Sequence, residues 1–597
     1  MNWTQVINPF GSLALSALVA AAPIVFIFTA LMRKMKGYQA CALTLLIAFI
    51  IVLTIYRMPV PLALFSAMQG AMYGLFPICW IILGPVFLFN LTVKSGQFAI
   101  IRDVMASITP DRRLQALLIA FSFGAFLEGS AGFGAPVAIS AAMLIGLGFN
   151  PMYAAGLCLI ANTAPVAFGS IGIPIVMASR ITDLPELAIS QMVGRTLPLI
   201  SFFLPLYLVM IMTGFRRALE VWPAILVSGL SFSFFQWFTA NYLGPMLPDV
   251  LAGIASIVCV LVLLRFWKPL HVWEFSGEEQ SLAKAANSHS VMSMPDVNYS
   301  TGQILRAWSP YVIMTLFIVT WGLAPVKATL NNLALFRITL PFIHDSIYTP
   351  EGTLLEVKPY ELNLLSAPGS AVLFAALLSV PLSGLTWRQA LMIYGETLKQ
   401  LRWAILTIAC IVAFAFLANY SGISLTLGLA LAATGVLFPF FSPILGWIGV
   451  FITGSDTSSN ALFCKLQATT ANSIGVDPLV TVSANASGGV TGKMISPQSV
   501  ATAAAAVGLA GKESDLFRFT LRHSLLMLFV ISCIVMLQAY IITAIIPDYE
   551  ALTPAQTKGA GSSGWPYLAG LVVILSALML ITTCASRSRA ANHSDPS

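Results

Sequence analysis

Long apolar runs dominate the chain, and short polar or basic turns separate them. Candidate membrane-crossing helices lie at 13–32, 40–56, 77–93, 196–214, 222–240, 250–266, 307–324, 366–382, 403–419, 522–546 and 566–584. Each has roughly 17–25 largely apolar residues, enough to cross a hydrocarbon core of about 30 Å. The first run follows an uncharged segment and precedes basic residues, the reverse of a secretory leader, so it reads as a first transmembrane helix. Two further stretches, 114–180 and 440–510, are apolar but broken by Gly, Pro, Ser, Thr and Asn. Irregular backbone cannot face lipid, so these segments must be buried in protein or line a cavity. The pattern predicts an all-α integral membrane protein with about 12–14 transmembrane helices and broken or re-entrant segments.

Basic residues cluster in the turns, at Arg33–Lys36, Arg112-Arg113, Arg216-Arg217 and Arg587–Arg589. The positive-inside rule then places these turns in the cytoplasm, the N-terminus outside and the C-terminal tail inside. The loop 267–305 falls in the cytoplasm and the segment 325–365 outside. The expected organisation is an N-terminal helix over 1–39, a first repeat over 40–217, linker helices over 218–324, the outer loop 325–365, a second repeat over 366–547, and a last helix with tail over 548–597.

Composition agrees. Of 597 residues, 58% are hydrophobic and 9% charged, where soluble domains carry about 25% charged residues. The net charge of +7 is accounted for by the basic turns, with no basic stripe and interleaved aromatics to suggest nucleic acid. The eight cysteines are scattered singly and form no C-x-x-C, and the histidines are equally dispersed. Neither a disulfide framework nor a metal centre is expected, and no cofactor fingerprint is present.

An internal repeat recurs at an offset of about 325 residues. GAFLEGSAGFGAP from Gly124 pairs with GVFITGSDTSSNA from Gly449. Lys94-Ser95-Gly96 pairs with Tyr420-Ser421-Gly422, Ala161-Asn162-Thr163 with Ala484-Asn485-Ala486, and Gly169–Pro174 with Gly492–Pro497. Three linker helices between the copies invert the second relative to the first. Inverted repeats with interrupted segments at matching places point to a secondary transporter with its site at the repeat interface.

Chemistry concentrates in those interruptions. Glu128 is the lone ordinary acid or base between Arg113 and Arg180. A carboxylate inside a membrane is costly and rarely idle, so Glu128 reads as a proton carrier or as a structural carboxyl bonded to the amides of a hairpin tip. Asp456 lies in Thr453-Gly454-Ser455-Asp456-Thr457-Ser458-Ser459-Asn460, where hydroxyls and unwound backbone can hold a small anion or a cation, or form a polar helix seam. Lys493, among glycines beside Thr491 and Gln498, is the natural cation for a carboxylate substrate or a partner for Asp456 or Glu128. Gly492-Lys493 is followed by Met494, which breaks the phosphate-loop pattern and excludes nucleotide binding on that motif. Asn162, Thr163 and Pro165 in the first copy and Asn485 in the second occupy matching interruptions, where exposed amides can meet a hydroxy acid or Pro can simply kink a helix.

At these residues the chain resembles the bacterial lactate permease family. The strings GAFLEGSAGFGAPVAI (124–139), YAAGLCLIANTAPVAFG (153–169), FSPILGWIGVFITGSDTSSNALF (441–463), GGVTGKMISPQS (488–499) and GKESDLFRFTLRHSL (511–525) carry the likeness, which runs from about residue 10 to 547. The resemblance implies uptake of L-lactate, D-lactate or glycolate with a proton through a bacterial inner membrane. The working expectation assigns proton coupling to Glu128 and Asp456. It assigns substrate contacts to Lys493, Ser130, Asn162, Thr163, Ser455, Thr457, Ser458, Ser459, Asn460, Asn485, Thr491 and Gln498. A sodium-coupled carboxylate carrier is the alternative; an enzyme is not expected, and oligomeric state is not legible.

Overall fold

The computed structural model describes residues 2–33, 35–132, 134–275, 299–350, 352–355, 357–509, 512–549 and 564–576. The middle of the 267–305 loop, Phe133, and the tail with Arg587 and Arg589 lie outside the described residues.

Helices α1 (Leu13–Met32) and α2 (Gly37–Thr54) pack as an antiparallel pair. The kinked helix α3 runs over Val60–Lys94, followed by α4 (Gln97–Ala106). Next come α5 (112–130), α6 (Ala135–Gly146), α7 (Pro151–Ala161), α8 (Gly169–Thr182) and α9 (Glu186–Thr213). The linker helices are α10 (Trp222–Tyr242), α11 (Pro248–Phe266) and α12 (Thr301–Gly322). A short α13 (Ala324–Ala334) leads into the segment that carries most of the strands. Then follow α14 (Pro368–Ser383), α15 (Trp387–Ser421), α16 (Ile423–Leu431), α17 (Phe438–Thr453), α18 (Asp456–Ile474), α19 (Pro478–Lys493), α20 (Pro497–Ala506) and α21 (Glu513–Tyr540). A final helix, α22, covers Trp565–Ser576.

Among the described residues, ten helices are long and apolar enough to cross a membrane, and α7 with α8 form an eleventh, bent by 61°. Shorter apolar helices, including α14, accompany them. The chain is therefore the all-α multi-pass membrane protein that its hydropathy predicts. Among the described residues, strand structure is confined to one face. Trp3–Thr4 (β1) pairs in parallel with Ile347–Tyr348 (β3), and Leu335–Ile338 (β2) pairs antiparallel with Tyr360–Asn363 (β4).

The sequence repeat is also a repeat of elements. Helices α3 and α15 each have 35 residues, and α9 and α21 each have 28. Between them the order recurs: a short helix, a helical hairpin, then a helix interrupted part-way. At 1.5 Å per residue, α15 is about 52 Å long, well beyond the bilayer core, and α3 has as many residues but kinks at Phe76. They pack against each other along their length, which sustains helix where hydropathy alone fades. The expected span at 77–93 therefore begins earlier, at Val60, and 196–214 begins at Glu186.

Polar contacts sort the connections onto two faces. On one face, Gln5 Nε2 donates to Asn419 O and Tyr420 O at 3.0 and 2.9 Å. There Lys358 also pairs with Asp183 at 2.9 Å. On the other, Lys94 pairs with Glu396 at 3.2 Å, and Tyr299 Oη donates to Asp103 Oδ2 at 3.0 Å. Arg113, fully buried, closes this second face. It donates to both oxygens of Asp111, to Glu220 Oε2, and to the carbonyls of Arg217 and His271, at 2.8–3.1 Å. These bonds use the full donor set of a guanidinium.

Each hairpin begins and ends on one face. Helix α5 starts at the Arg113 face, and α6 returns to it, because the Arg112 guanidinium lies 5.8 Å from the Phe149 ring just past the end of α6. Helices α17 and α18 make the equivalent hairpin from the opposite face. There Thr470 Oγ1, near the end of α18, donates to Gly428 O on α16 at 3.0 Å. The stretch 114–148 and its counterpart are thus hairpins whose two ends lie on one face, each followed by an interrupted span, α7–α8 or α19–α20.

Candidate functional site

Four interruptions of the helical backbone converge inside the protein. The tip of the first hairpin lies between α5 and α6, and Gly134 holds φ of +83°, a left-handed conformation that costs glycine little. The tip of the second is Gly454-Ser455, with Gly454 at φ +70°. The interrupted spans break at 162–168 and 494–496. Local chemistry sets these ends. Pro136 and Pro497 sit at the first turns of α6 and α20, where a missing N–H costs nothing. Ser455 and Ser496 cap α18 and α20 by accepting from Ser458 N and Ser499 N. At the start of α8, Ser170 and Ile171 take left-handed φ of +47° and +59°. Such strain at non-glycine residues clusters at functional sites.

A cavity of about 800 Å³ lies where these breaks meet. Its inner wall contains Glu128, Ser170, Ser455, Asp456, Lys493 and Gln498. Its mouth passes Tyr38 and Trp403, whose rings stack at 4.1 Å, and Arg402. The mouth lies beside the α1–α2 turn, on the Arg113 face. The start of α8 and the N-termini of α18 and α20 border the cavity, and helix N-termini favour negative charge. Lys493 adds the ammonium: its Nζ donates to Gly454 O at 2.6 Å, and its charge reaches both Glu128 and Asp456. Neither Asp456 oxygen nor Glu128 Oε2 has a hydrogen-bond partner. An anion site with protonatable neighbours is what this arrangement offers.

The structure divides the residues expected from sequence. Glu128, Ser455, Asp456, Thr457, Ser458, Lys493 and Gln498 line the cavity. Asn162 lies beside Glu128, and Thr163 is buried next to it with an unpartnered hydroxyl. The others bond within their own helix or to neighbouring helices. Ser130 Oγ donates to Phe126 O, and Thr491 Oγ1 to Gly488 O, both within their own helices. Asn460 Nδ2 donates to Pro174 O at 2.9 Å, Asn485 Nδ2 to Asn460 Oδ1 at 2.7 Å, and Gln467 Nε2 to Asn485 Oδ1 at 2.6 Å. Ser459 Oγ donates to Gly446 O at 3.1 Å. This network fastens α18 to α8 and α19 behind the cavity. Asn485, expected at an interruption, sits inside the continuous helix α19. Its side chain is engaged by other side chains, so it does not compete for the backbone.

Close packing supports the site. Gly446 on α17 faces the backbone of Asn485, and Gly488 on α19 faces that of Pro443. Small residues let helix backbones approach in membranes. A methyl group at Gly489 would fall on the Asp456 carboxylate.

Sequence reasoning missed Asp249, Gln236 and Ser170. Asp249 sits in the first turn of α11, where an acid looks like an ordinary dipole partner. Its burial against Gly129, beside Glu128, exists only in three dimensions.

Comparison with known proteins adds identity to this geometry. The profile of the family described as L-lactate permease matches residues 16–542. The chain belongs to the L-lactate permease family. The L-lactate permease of Bacillus subtilis (strain 168) is 54% identical over 566 residues, covering 92% of this chain and 100% of that one. The L-lactate permease of Escherichia coli (strain K12) is 49% identical, covering 91% and 100%. The glycolate permease GlcA of the same organism is also 49% identical, covering 92% and 100%. A solved efflux pump, MtrF of Neisseria gonorrhoeae, aligns with a TM-score of 0.42 at 12% identity, covering 80% of this chain and 85% of that one. Membership of this permease family agrees with a multi-pass membrane protein.

Proposed function

We propose that this member of the L-lactate permease family takes up L-lactate, and the related D-lactate and glycolate, by proton symport across the bacterial inner membrane. It acts as a carrier rather than an enzyme. The observation that supports this most is the cavity itself: the buried ammonium of Lys493, three bordering helix starts, and three buried carboxyl oxygens, both of Asp456 and Oε2 of Glu128, without a hydrogen-bond partner.

In this reading Lys493 and the α18 and α20 N-termini hold the substrate carboxylate. The hydroxyls of Ser455, Thr457 and Ser458 and the amide of Gln498 meet its 2-hydroxyl. Glu128 or Asp456 carries the proton, and one proton per monocarboxylate makes the cycle electroneutral. The face bearing Arg113 and the cavity mouth is cytoplasmic, and the N-terminus and the 335–363 strands are periplasmic. The two repeats, 40–217 and 366–547, are inverted copies whose relative motion exposes the cavity to either side.

The test is radiolabelled L-lactate uptake into proteoliposomes under an inward proton or an inward sodium gradient. Accumulation above equilibrium with protons alone is expected, and Glu128→Gln is expected to abolish it. Dependence on sodium would reassign the Asp456 segment as a cation site. Full uphill uptake by Glu128→Gln would remove Glu128 as the sole proton carrier.

A further inference from the structure

Asp249 is 1% exposed and lies outside both repeats, in the first turn of α11. Its Oδ1 accepts from Gln236 Nε2 at 3.4 Å, while Oδ2 has no partner. The same Gln236 amide donates to Ala164 O at 2.9 Å, in the α7–α8 interruption, and its Oε1 accepts from Ser201 at 2.9 Å. Helix α11 packs directly on the hairpin arm that ends in Glu128. A methyl at Gly129, the residue after Glu128, would stand 2.9 Å from Asp249 Cβ.

The charge balance of this cluster is unfavourable without protons. Glu128, Asp249 and Asp456 are buried around one ammonium, Lys493, whose charge reaches Glu128 and Asp456. Glu128 is the acid on the arm that Asp249 packs against, one residue before Gly129. Unpaired buried carboxylates are expensive in a membrane interior, so this arrangement is satisfied when Asp249 and Glu128 hold a proton between them. The position adds direction. The cavity reaches Glu128 from the Arg113 face, whereas Asp249 is absent from the cavity wall. Asp249 begins α11 immediately after the α10–α11 turn, on the opposite face.

We propose that Asp249 is a proton station that loads Glu128 from the α10–α11 side, opposite the cavity mouth. The O–H bond of the Asp249 carboxyl breaks as the O–H bond of Glu128 forms, leaving the negative charge on Asp249, and water on the α10–α11 side returns a proton to it. This rests on the reading of Glu128 as a proton carrier.

The test combines transport with infrared spectroscopy on the full chain. Asp249→Asn is expected to lower pH-gradient-driven L-lactate accumulation by about tenfold or more. It is also expected to remove a protonated-carboxyl C=O band present in the native protein at neutral pH. Gln236→Leu, which leaves Asp249 in place, is expected to shift that band by removing its hydrogen bond, and so decides the question even where Asp249→Asn does not fold. Accumulation by Asp249→Asn within about twofold of native, or a band unmoved by both substitutions, would overturn the proposal. Failure of the native protein to accumulate L-lactate with protons would sink the symport reading instead, and the infrared arm would still decide whether Asp249 holds a proton.

Discussion

Replacing Lys493 by Gln tests the anion site at its one buried cation. The ammonium has three N–H donors, of which one is given to Gly454 O at 2.6 Å. The other two are free to meet a substrate carboxylate in the cavity that Lys493 lines. Glutamine is one bond shorter and keeps an N–H donor on a similar apolar stem, but it removes the charge. A hydrogen bond to a charged group contributes about 1.5–3 kcal/mol, and about 1.4 kcal/mol is a tenfold change in affinity. Half-saturation for L-lactate is therefore expected to rise by about 10- to 150-fold. Lys493→Arg, which keeps the charge with different geometry, is expected to lose less. The assay is the concentration dependence of L-lactate exchange in proteoliposomes, checked by calorimetric binding to purified protein. A half-saturation within about twofold of native, in a variant that remains monodisperse, would refute the assignment of Lys493 to the carboxylate.

Two further substitutions test the scaffold. Arg113→Ala strips the buried Asp111 of its guanidinium while leaving it the N–H groups of Arg113 and Trp273. It is expected to cost about 3 kcal/mol, the low end for breaking a buried pair, read as a lower melting temperature in detergent; an unchanged melt would show that the network is dispensable. Gly446→Ala forces a methyl against the Asn485 carbonyl and is expected to cost about 1–3 kcal/mol by overpacking. Substrate affinity is expected to fall with it, since the α17–α19 seam holds the second hairpin; unaltered stability and affinity would contradict that role.

The pattern of apolar runs determined that this chain lives in a bilayer and where most of its helices lie. The first helix was readable to the residue at 13–32, and the 222–240 run differs from its helix by two residues at one end. The reason is that lipid imposes length and composition on each span separately. The repeat was readable too, because each copy keeps its glycines and prolines where backbone must turn. Hydropathy could not say whether 114–148 crosses or returns. It reports the solvent a segment meets, not its direction, and the contact between Arg112 and Phe149 supplies that. Nor could it separate Ser455 and Ser458, which line the cavity, from Ser459 and Asn460, which bind neighbouring helices. Successive residues point about 100° apart on a helix, and which direction is empty depends on every other element. Asp249 is the sharpest case, an unremarkable first-turn acid in sequence that becomes a neighbour of Glu128 only once α11 packs against the first hairpin. Burial against lipid is local and is written in the chain, whereas a site built from four distant interruptions exists only after packing brings them together.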